Sequence, residues 1–232
     1  MPNLIEILDL GTIPFEEAWA AQTLIHKQLI QQKRDFPDGS AFQQHSLLLC
    51  EHPHVFTLGK SGDEGHLLQP LDKMHEIKAE FHPINRGGDI TYHGPGQLVA
   101  YPILDLDHLY NDVHRYVRAL EEVAIQVLKE YRIDAGRING LTGVWISIDS
   151  PKPRKICAIG IHLSRWVSLH GLAFNINTNL DYFKYIIPCG INPDEKTITS
   201  LQQEMGVQVS MEEVKKLFIK HFLHTFELEQ TI

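Results

Sequence analysis

The sequence predicts a mixed α/β fold in one domain, residues 1–232, with strands outnumbering helices around a central sheet. Its 232 residues, 43% of them apolar, suit one domain with a sizeable core. Many short apolar runs are separated by turn residues, whereas few stretches follow the helical period. No internal repeat, low-complexity tract or linker divides the chain.

The short apolar runs predict strands at residues 3–10, 47–51, 55–59, 79–85, 98–104, 144–148, 155–163 and 169–176. The run at 98–104 is apolar throughout, which indicates a buried strand. The runs at 155–163 and 169–176 are expected to pair. Loops or turns are expected at residues 35–40, 60–75, 136–143 and 149–153.

The first helix is predicted at about residues 15–32, with Thr12 as N-cap and Pro14 in the first turn. Its apolar face is predicted to contain Phe15, Ala18, Leu24, Ile25 and Leu29. The clearest helix is predicted at residues 112–131, capped by Asn111 or Asp112, with an apolar stripe interpreted as core packing. A short helix follows near residues 200–205. Ser210 and Glu213 form a capping box that opens a last helix, whose apolar face should contain Val214, Leu217, Phe218, His221 and Phe222.

Composition excludes several function classes. A net charge of −8 argues against nonspecific nucleic-acid binding. We expect no membrane span, because no apolar run is long enough, and no signal peptide. Three widely spaced cysteines do not make a disulfide framework, so we expect a cytoplasmic protein with free thiols. The fourteen histidines lack metal-site spacing. The pair His52 and His54 is interpreted as half-exposed side chains of a strand–turn–strand rather than as metal ligands.

A glycine-rich segment at residues 86–97, RGGDITYHGPGQ, precedes the buried strand. Its four glycines indicate either a tight turn or a wall where a ligand lies against bare backbone. We favour the wall, because polar side chains share the segment: Arg86, Thr91, Tyr92, His93 and Gln97. It matches neither the Walker nor the Rossmann glycine pattern.

Cys189 and Lys155 form our central hypothesis: a nucleophilic thiol and its proton partner. A thiol reacts as thiolate, and a nearby ammonium stabilises that form. A buried lysine has a lowered pKa, so the pair can share one proton near neutral pH. Alternatives stay open. Lys155 fits a solvated cation, Cys189 fits a packed apolar residue, and His93 and His170 are competing bases. Cys50 and Cys157 lie in apolar strands and are expected to be inert.

The glycine-rich segment and the motifs around Lys155 and Cys189 resemble a known family, the octanoyltransferases of lipoate biosynthesis. The similarity spans about residues 10–220. It rests on residues 86–101, on Lys155-Ile156 with Ile159-Gly160, on His170-Gly171 with Ala173 and Asn175, and on Pro188-Cys189-Gly190-Ile191. Shorter matches are Glu51-His52-Pro53 with Thr57-Leu58-Gly59, Thr142-Gly143-Val144-Trp145 and Thr199-Ser200-Leu201. Residues 60–75 match no motif of the family, and the chain is longer than the family pattern around residues 147–153.

The resemblance implies a curved mixed sheet flanked by helices, as in biotin and lipoate protein ligases. It implies transfer of an octanoyl or lipoyl group from acyl carrier protein to a lysine ε-amine. The acceptors that the resemblance implies are lipoyl domains of 2-oxoacid dehydrogenases and the glycine cleavage H protein. Cys189 would carry the acyl group as a thioester, and Lys155 would act as general acid and base. No cofactor, metal or ATP is implied. The implied substrate-binding residues are Arg86, Gly87, Gly88, Asp89, Ile90, Thr91, Tyr92, His93, Ala158, Ile159, Gly160, Gly171, Leu172 and Ala173.

Two further expectations follow. Bare backbone at Gly87, Gly88, Gly160 and Gly171 would admit an aliphatic chain and offer N–H donors to an oxyanion. A basic dock for the acidic carrier protein is expected among Lys152, Arg154, Arg165 and Arg86. Three rivals stay open: an ATP-dependent lipoate protein ligase, an amidotransferase with a different acyl donor, and a non-catalytic binding module.

Overall fold

A computed structural model describes residues 4–36, 45–188 and 196–231. Within these ranges the chain forms twelve strands and four α-helices, so the predicted α/β class is confirmed. The strands are β1 Leu4–Thr12, β2 His45–Glu51, β3 Val55–Leu58, β4 Glu80–Pro83, β5 Ile90–His93, β6 Gln97–Ile103, β7 Ala135–Gly136, β8 Val144–Ile146, β9 Arg154–Ser164, β10 Val167–Asn175, β11 Thr197–Ile198 and β12 Glu229–Gln230. The helices are α1 Phe15–Asp35, α2 Val113–Glu130, α3 Leu201–Met205 and α4 Met211–Phe226.

Most strands join one large mixed sheet in the order β12-β1-β2-β6-β10-β9-β8-β7. Strand β1 runs parallel to its two neighbours, β2 and β12. From β2 onwards in this sheet order, each strand is antiparallel to the next. Strand β11 pairs with the start of β9, where β10 has ended. The predicted pairing of β9 with β10 is confirmed, and Gly160 lies opposite Gly171. A second sheet has the order β4-β3-β5.

The large sheet is covered on both faces. One face packs against α2 and α4, where Leu98 and Phe174 join helix residues such as Leu120 and Phe218. The other face packs in part against α1, where Val99 and Tyr101 meet that helix. Strand β6 is buried along its whole length, as its apolar sequence predicts. The small sheet lies over the rest of the α1 face, and a cavity separates the two sheets.

Helix α1 departs from the prediction at its start and on its face. Strand β1 continues to Thr12, so Thr12 is not the N-cap; Pro14 occupies that position without a side-chain cap. Leu24 is 59% exposed, while Gln22 and His26 are buried. His26 is buried because its Nε2 lies 3.2 Å from the carbonyl oxygen of Val167. Leu24 lies about 180° around the helix from Phe15, at roughly 100° per residue, and therefore cannot share its buried face.

The other caps agree with the sequence. The side chain of Asp112 accepts the N–H of Arg115 at the start of α2. Ser200 caps α3, and Ser210 caps α4 by accepting the N–H of Glu213. Asp35 ends α1, and the remainder of the loop predicted at 35–40 lies largely outside the described residues. No helix in the described part of the chain is long and apolar enough to cross a membrane.

The segment at 60–75, predicted to be irregular, contains two 3-10 helices, Glu64–His66 and Leu71–Ile77. It packs beside the stretch that leads towards Cys189. The N–H of Leu68 donates to the Tyr185 carbonyl, and the N–H of Ile187 donates to the His66 carbonyl. The segment is therefore tied to the stretch that precedes Pro188.

Candidate active site

The cavity between the two sheets has a volume of about 400 Å³. Its walls come from the glycine-rich segment, from β6, β9 and β10, and from the loop before β8. All the substrate-binding residues implied by the resemblance line it, except Tyr92. The size falls within the usual range for small-molecule sites, about 300–1,000 Å³.

Lys155 reaches this cavity because of a β-bulge. Between Cys157 and Lys155, β9 advances two residues while β8 advances only one, from Val144 to Trp145. The extra residue is Ile156, and both Ile156 and Cys157 are buried in the core beneath α2. Two consecutive inward side chains reverse the alternation, so Lys155 shares the cavity face with Ala158.

The Lys155 side chain runs between the backbone of Gly143 and the ring of Trp145. Its Nζ lies 4.6 Å from the Trp145 ring centroid. A Cβ at Gly143 would lie 3.5 Å from Lys155 Cε and 2.5 Å from the Cys157 carbonyl oxygen. Gly143 also has φ +116°, a conformation that L side chains rarely adopt. Only glycine fits there, and the lysine is held in one direction.

The loop that carries Gly143 is tied to α2 by a buried carboxylate. Glu121 is fully buried, and its Oε1 accepts the Gly143 N–H at 2.9 Å. Its Oε2 accepts from Arg118 at 2.6 Å and from Arg137 at 2.9 Å. The bonds fix the loop next to Lys155, and its residues Gly140, Leu141 and Thr142 line the cavity.

Cys189 lies outside the described residues. The residue before it, Pro188, lines the same cavity as Lys155. Of the predicted pair, the structure therefore places Lys155 at the cavity, and it places the residue that precedes Cys189 there as well.

The glycine-rich segment forms the wall that its polar side chains predicted. Residues Ile90–His93 pair with β3 as a strand, and Arg86 is buried beneath them. The Arg86 Nη2 donates to the Thr57 carbonyl at 2.6 Å, and its Nη1 donates to the Gly87 carbonyl at 3.0 Å. A Cβ at Gly160 would lie 2.9 Å from Arg86 Cδ, so glycine is needed where β9 meets this wall.

Two residues of this wall differ from expectation. Tyr92 points away from the cavity, where its hydroxyl bonds His54 and its ring stacks on Tyr182. The N–H of Gly87 donates to the Ile161 carbonyl at 2.8 Å, so that N–H is already engaged and is not a spare oxyanion donor.

The two competing bases, His93 and His170, are buried cavity residues. Burial lowers the pKa of each to about 3, with nearby cationic groups adding to the effect. His93 Nδ1 bonds the Gln97 amide oxygen at 2.8 Å, and His170 Nε2 bonds the Asn85 amide oxygen at 2.7 Å. Neutral, hydrogen-bonded imidazoles are suited to lining a wall, and they are weak bases at neutral pH.

The other sulfur and histidine candidates sit apart from this chemistry. Burial raises the pKa of the Cys50 and Cys157 thiols well above the ordinary value, which keeps both protonated. His52 is fully buried rather than half-exposed, because its Nδ1 bonds the Ile13 carbonyl and its Nε2 bonds the Tyr101 hydroxyl. Among the residues that the structure describes, no group of three or more His, Cys, Asp or Glu side chains could hold a metal.

Two of the four residues expected to form a basic docking surface are not available for it. Arg86 is buried inside the wall, and Arg154 forms a two-pronged ion pair with Glu204 at 2.8 Å. Lys152 and Arg165 remain exposed.

Several cavity residues carried no signal for a site in the sequence. Val117 belongs to the helical stripe interpreted as core, yet it lines the cavity. Phe15 and Leu141 also line it, although the first was expected only on a helix face and the second only in a loop.

Comparison with known proteins fits this geometry. A family model for the lipoyl protein ligase A/B catalytic domain matches residues 14–223. The chain is similar to an octanoyltransferase of Cytophaga hutchinsonii, with 51% identity over 225 residues, 95% of this chain and 91% of the relative.

Two solved structures share the fold. One is a bipartite lipoate protein ligase of Thermoplasma acidophilum, with a TM-score of 0.68 and 18% identity, covering 97% of this chain and 85% of that one. The other is the biotin protein ligase of Aquifex aeolicus, with a TM-score of 0.52 and 11% identity, covering 96% and 70%.

The chain thus has the fold that lipoate and biotin protein ligases share. The chain belongs to the lipoyl protein ligase A/B catalytic domain family. With octanoyltransferases among its relatives, it is an acyltransferase.

Proposed function

We propose that this enzyme transfers an octanoyl group from an acyl carrier protein to the lysine ε-amine of a lipoyl domain. The acyl group travels as a thioester on Cys189, and Lys155 moves the proton. The observation that carries the proposal is the placement of Lys155 and Pro188 on one cavity, together with 51% identity to an octanoyltransferase.

The cavity suits an acyl chain. From Lys155 to Gly160 the strand β9 extends about 16 Å, at roughly 3.3 Å per residue, which exceeds the length of an eight-carbon chain. Apolar side chains and bare backbone line this stretch, and its two histidines are neutral at working pH. An uncharged chain can therefore lie there without meeting an unpaired charge.

The transfer divides into two half-reactions. The Cys189 thiolate attacks the carbonyl carbon of the carrier's thioester, and the carrier's thiol leaves with a proton from Lys155. The acceptor amine then attacks the new thioester and gives its proton to Lys155, while the Cys189 thiolate leaves. Lys155 is ammonium before each round and neutral between the two half-reactions, which is the requirement for a general acid and base.

The test is intact-mass spectrometry after incubation with octanoyl-loaded carrier protein. We expect one octanoyl adduct, mapped to Cys189 by peptide digestion and discharged by a lipoyl domain. A Cys189→Ser protein should form no adduct, and Cys157→Ser serves as the matched control that keeps it. Full transfer by Cys189→Ser would falsify the covalent route.

A second arm of the test separates transfer from ligation. The enzyme is incubated with octanoic acid, ATP and a lipoyl domain in place of the loaded carrier. We expect no octanoyl lipoyl domain from this mixture. Product formed only with ATP and free acid would instead assign the chain to ligase chemistry.

A further inference from the structure

We propose that Trp145 is a positioning residue that stabilises the ammonium form of Lys155 and directs its Nζ into the cavity. The proposal rests on the proposed function, since it concerns the lysine assigned there as acid and base. It adds a residue whose side chain is absent from the cavity wall and has no place in the scheme above.

The geometry is that of a cation held over an aromatic face. Lys155 Nζ stands 4.6 Å from the ring centroid, within the distance at which the indole quadrupole attracts an ammonium. Trp145 is fully buried and Lys155 is half-buried, so water screens the contact less than it would at an exposed site. The two residues are partners across the β8–β9 ladder, where the bulge brings them together.

The surroundings fix this contact. The stem of Lys155 passes the bare backbone at Gly143, and that backbone is anchored by Glu121. Two carboxylates on elements near Lys155 form ion pairs with arginines. Glu121 on α2 pairs with Arg118 and Arg137, and Glu204 on α3 pairs with Arg154 on β9. Strand β11, opposite Lys155, contributes no ionisable side chain.

The consequence for chemistry follows from the shared proton. The pair can exist as thiolate with ammonium or as thiol with amine. A ring that favours the ammonium shifts the balance towards the thiolate, which is the reactive form. Loss of the ring should shift it back. Loss of a cation–π contact with a half-buried ammonium should change that balance by up to about tenfold.

The experiment weakens the ring without altering its shape. Trp19 and Trp166 are replaced by phenylalanine, which leaves Trp145 as the sole tryptophan of the three. The protein is then produced with ordinary, difluoro- and tetrafluorotryptophan, because each fluorine withdraws electron density from the ring face. The rate of alkylation at Cys189 is measured from pH 5 to pH 9 and assigned by peptide mass.

We expect the apparent pKa of the thiol to rise stepwise with fluorination, and the alkylation rate near pH 6.5 to fall about tenfold across the series. The single-turnover acylation rate should fall in parallel, with little change in KM for the loaded carrier. Trp145→Phe should lie between the first and last members. Trp166→Phe alone, an exposed ring on the β9–β10 turn, should leave the profile unchanged.

Superimposable pH profiles across the fluorinated series would overturn the proposal, since shape and packing are held constant. The same holds if Trp145→Phe lowers thermal stability but leaves the profile intact, because that is the result of a merely structural role. Failure of the proposed function has a different signature. In that case the protein with ordinary tryptophan would carry no octanoyl adduct on Cys189, whatever its alkylation profile.

Discussion

Glu121 offers a sharp test of how the loop beside Lys155 is held. Replacing it by glutamine keeps the shape of the side chain but removes its charge. The carboxylate has three donors, the Gly143 N–H on one oxygen and two guanidinium groups on the other. A glutamine side chain has only one acceptor oxygen. Its NH₂ group must therefore face either the Gly143 N–H or the two guanidinium groups, and it cannot accept a hydrogen bond from them.

The magnitude follows from the bonds that are lost. If the amide keeps the Gly143 bond, both charged bonds are lost, at about 1.5–3 kcal/mol each. The side chains of Arg118 and Arg137 are 43% and 33% exposed and can rehydrate, which lowers the penalty. We therefore expect Glu121→Gln to cost about 2–3 kcal/mol, or roughly 5–10 °C in Tm for a chain of this size.

The neighbouring residue supplies the control. Glu122 bonds the same Arg137 at 2.7 Å, but its side chain is 36% exposed. Glu122→Gln should therefore cost less than about 1 kcal/mol. Both variants are compared with the wild type by urea unfolding and by acyl transfer. Equal losses for the two variants would refute the reasoning, because Glu121 is buried with three donors, whereas Glu122 is part-exposed with two.

Three further outcomes follow from the same structure. Gly171→Ala should abolish folding or solubility, because its Cβ would lie 2.2 Å from a backbone carbonyl oxygen of β6, whereas Gly87→Ala, with its nearest contact at 3.4 Å, should express and melt like the wild type. The ion pair with Arg154 lowers the pKa of Glu204, so its contribution is present above the ordinary value of 4.5 and is lost as pH falls through the lower folded value. The Tm difference between wild type and Glu204→Gln should accordingly be present at pH 7, persist at pH 5 and close in more acidic buffer; a constant difference would contradict this. Ellman's reagent should find one fast thiol of the three in the native protein and three in urea, because burial keeps the other two protonated. Two fast thiols in the native state would show that one of the buried sulfurs is accessible.

Periodicity predicted the elements that decide the architecture. The stripe on α2 and the uninterrupted run of β6 were both placed correctly, because each is buried where its pattern says. The expected face of α1 failed because it did not follow the helical period. Leu24 lies about 180° around the helix from Phe15, so it faces solvent, while Gln22 and His26 fall on the buried side.

The site could be predicted as far as its motifs reached. Glycines crowded with polar side chains indicated the wall that Arg86 and His93 now form. Tyr92 lies in the same motif but on the opposite face of β5, since neighbouring strand residues alternate. A contiguous sequence motif therefore predicts where a site lies. Because side chains alternate along a strand, only every second residue of the motif faces the cavity, and the others pack behind it.

The side of β9 on which Lys155 lies could not be predicted from the sequence. By simple alternation Lys155 would share a face with Cys157, which points into the core beneath α2. The bulge at Ile156 reverses that assignment, and nothing in the residue types of 154–158 announces an inserted residue. Two residue pairs define the bulge: Val144 pairs with Cys157, and Trp145 pairs with Lys155. Between these pairs β9 contains one more residue than β8. An insertion is a property of two strands taken together, so a single strand's sequence cannot reveal it. The same insertion buries two side chains in succession and turns the next one, an amine, towards the cavity. A deletion of Ile156 should therefore keep Lys155 on the cavity face and preserve acylation, because Lys155 would then adjoin the inward-facing Cys157 in regular alternation.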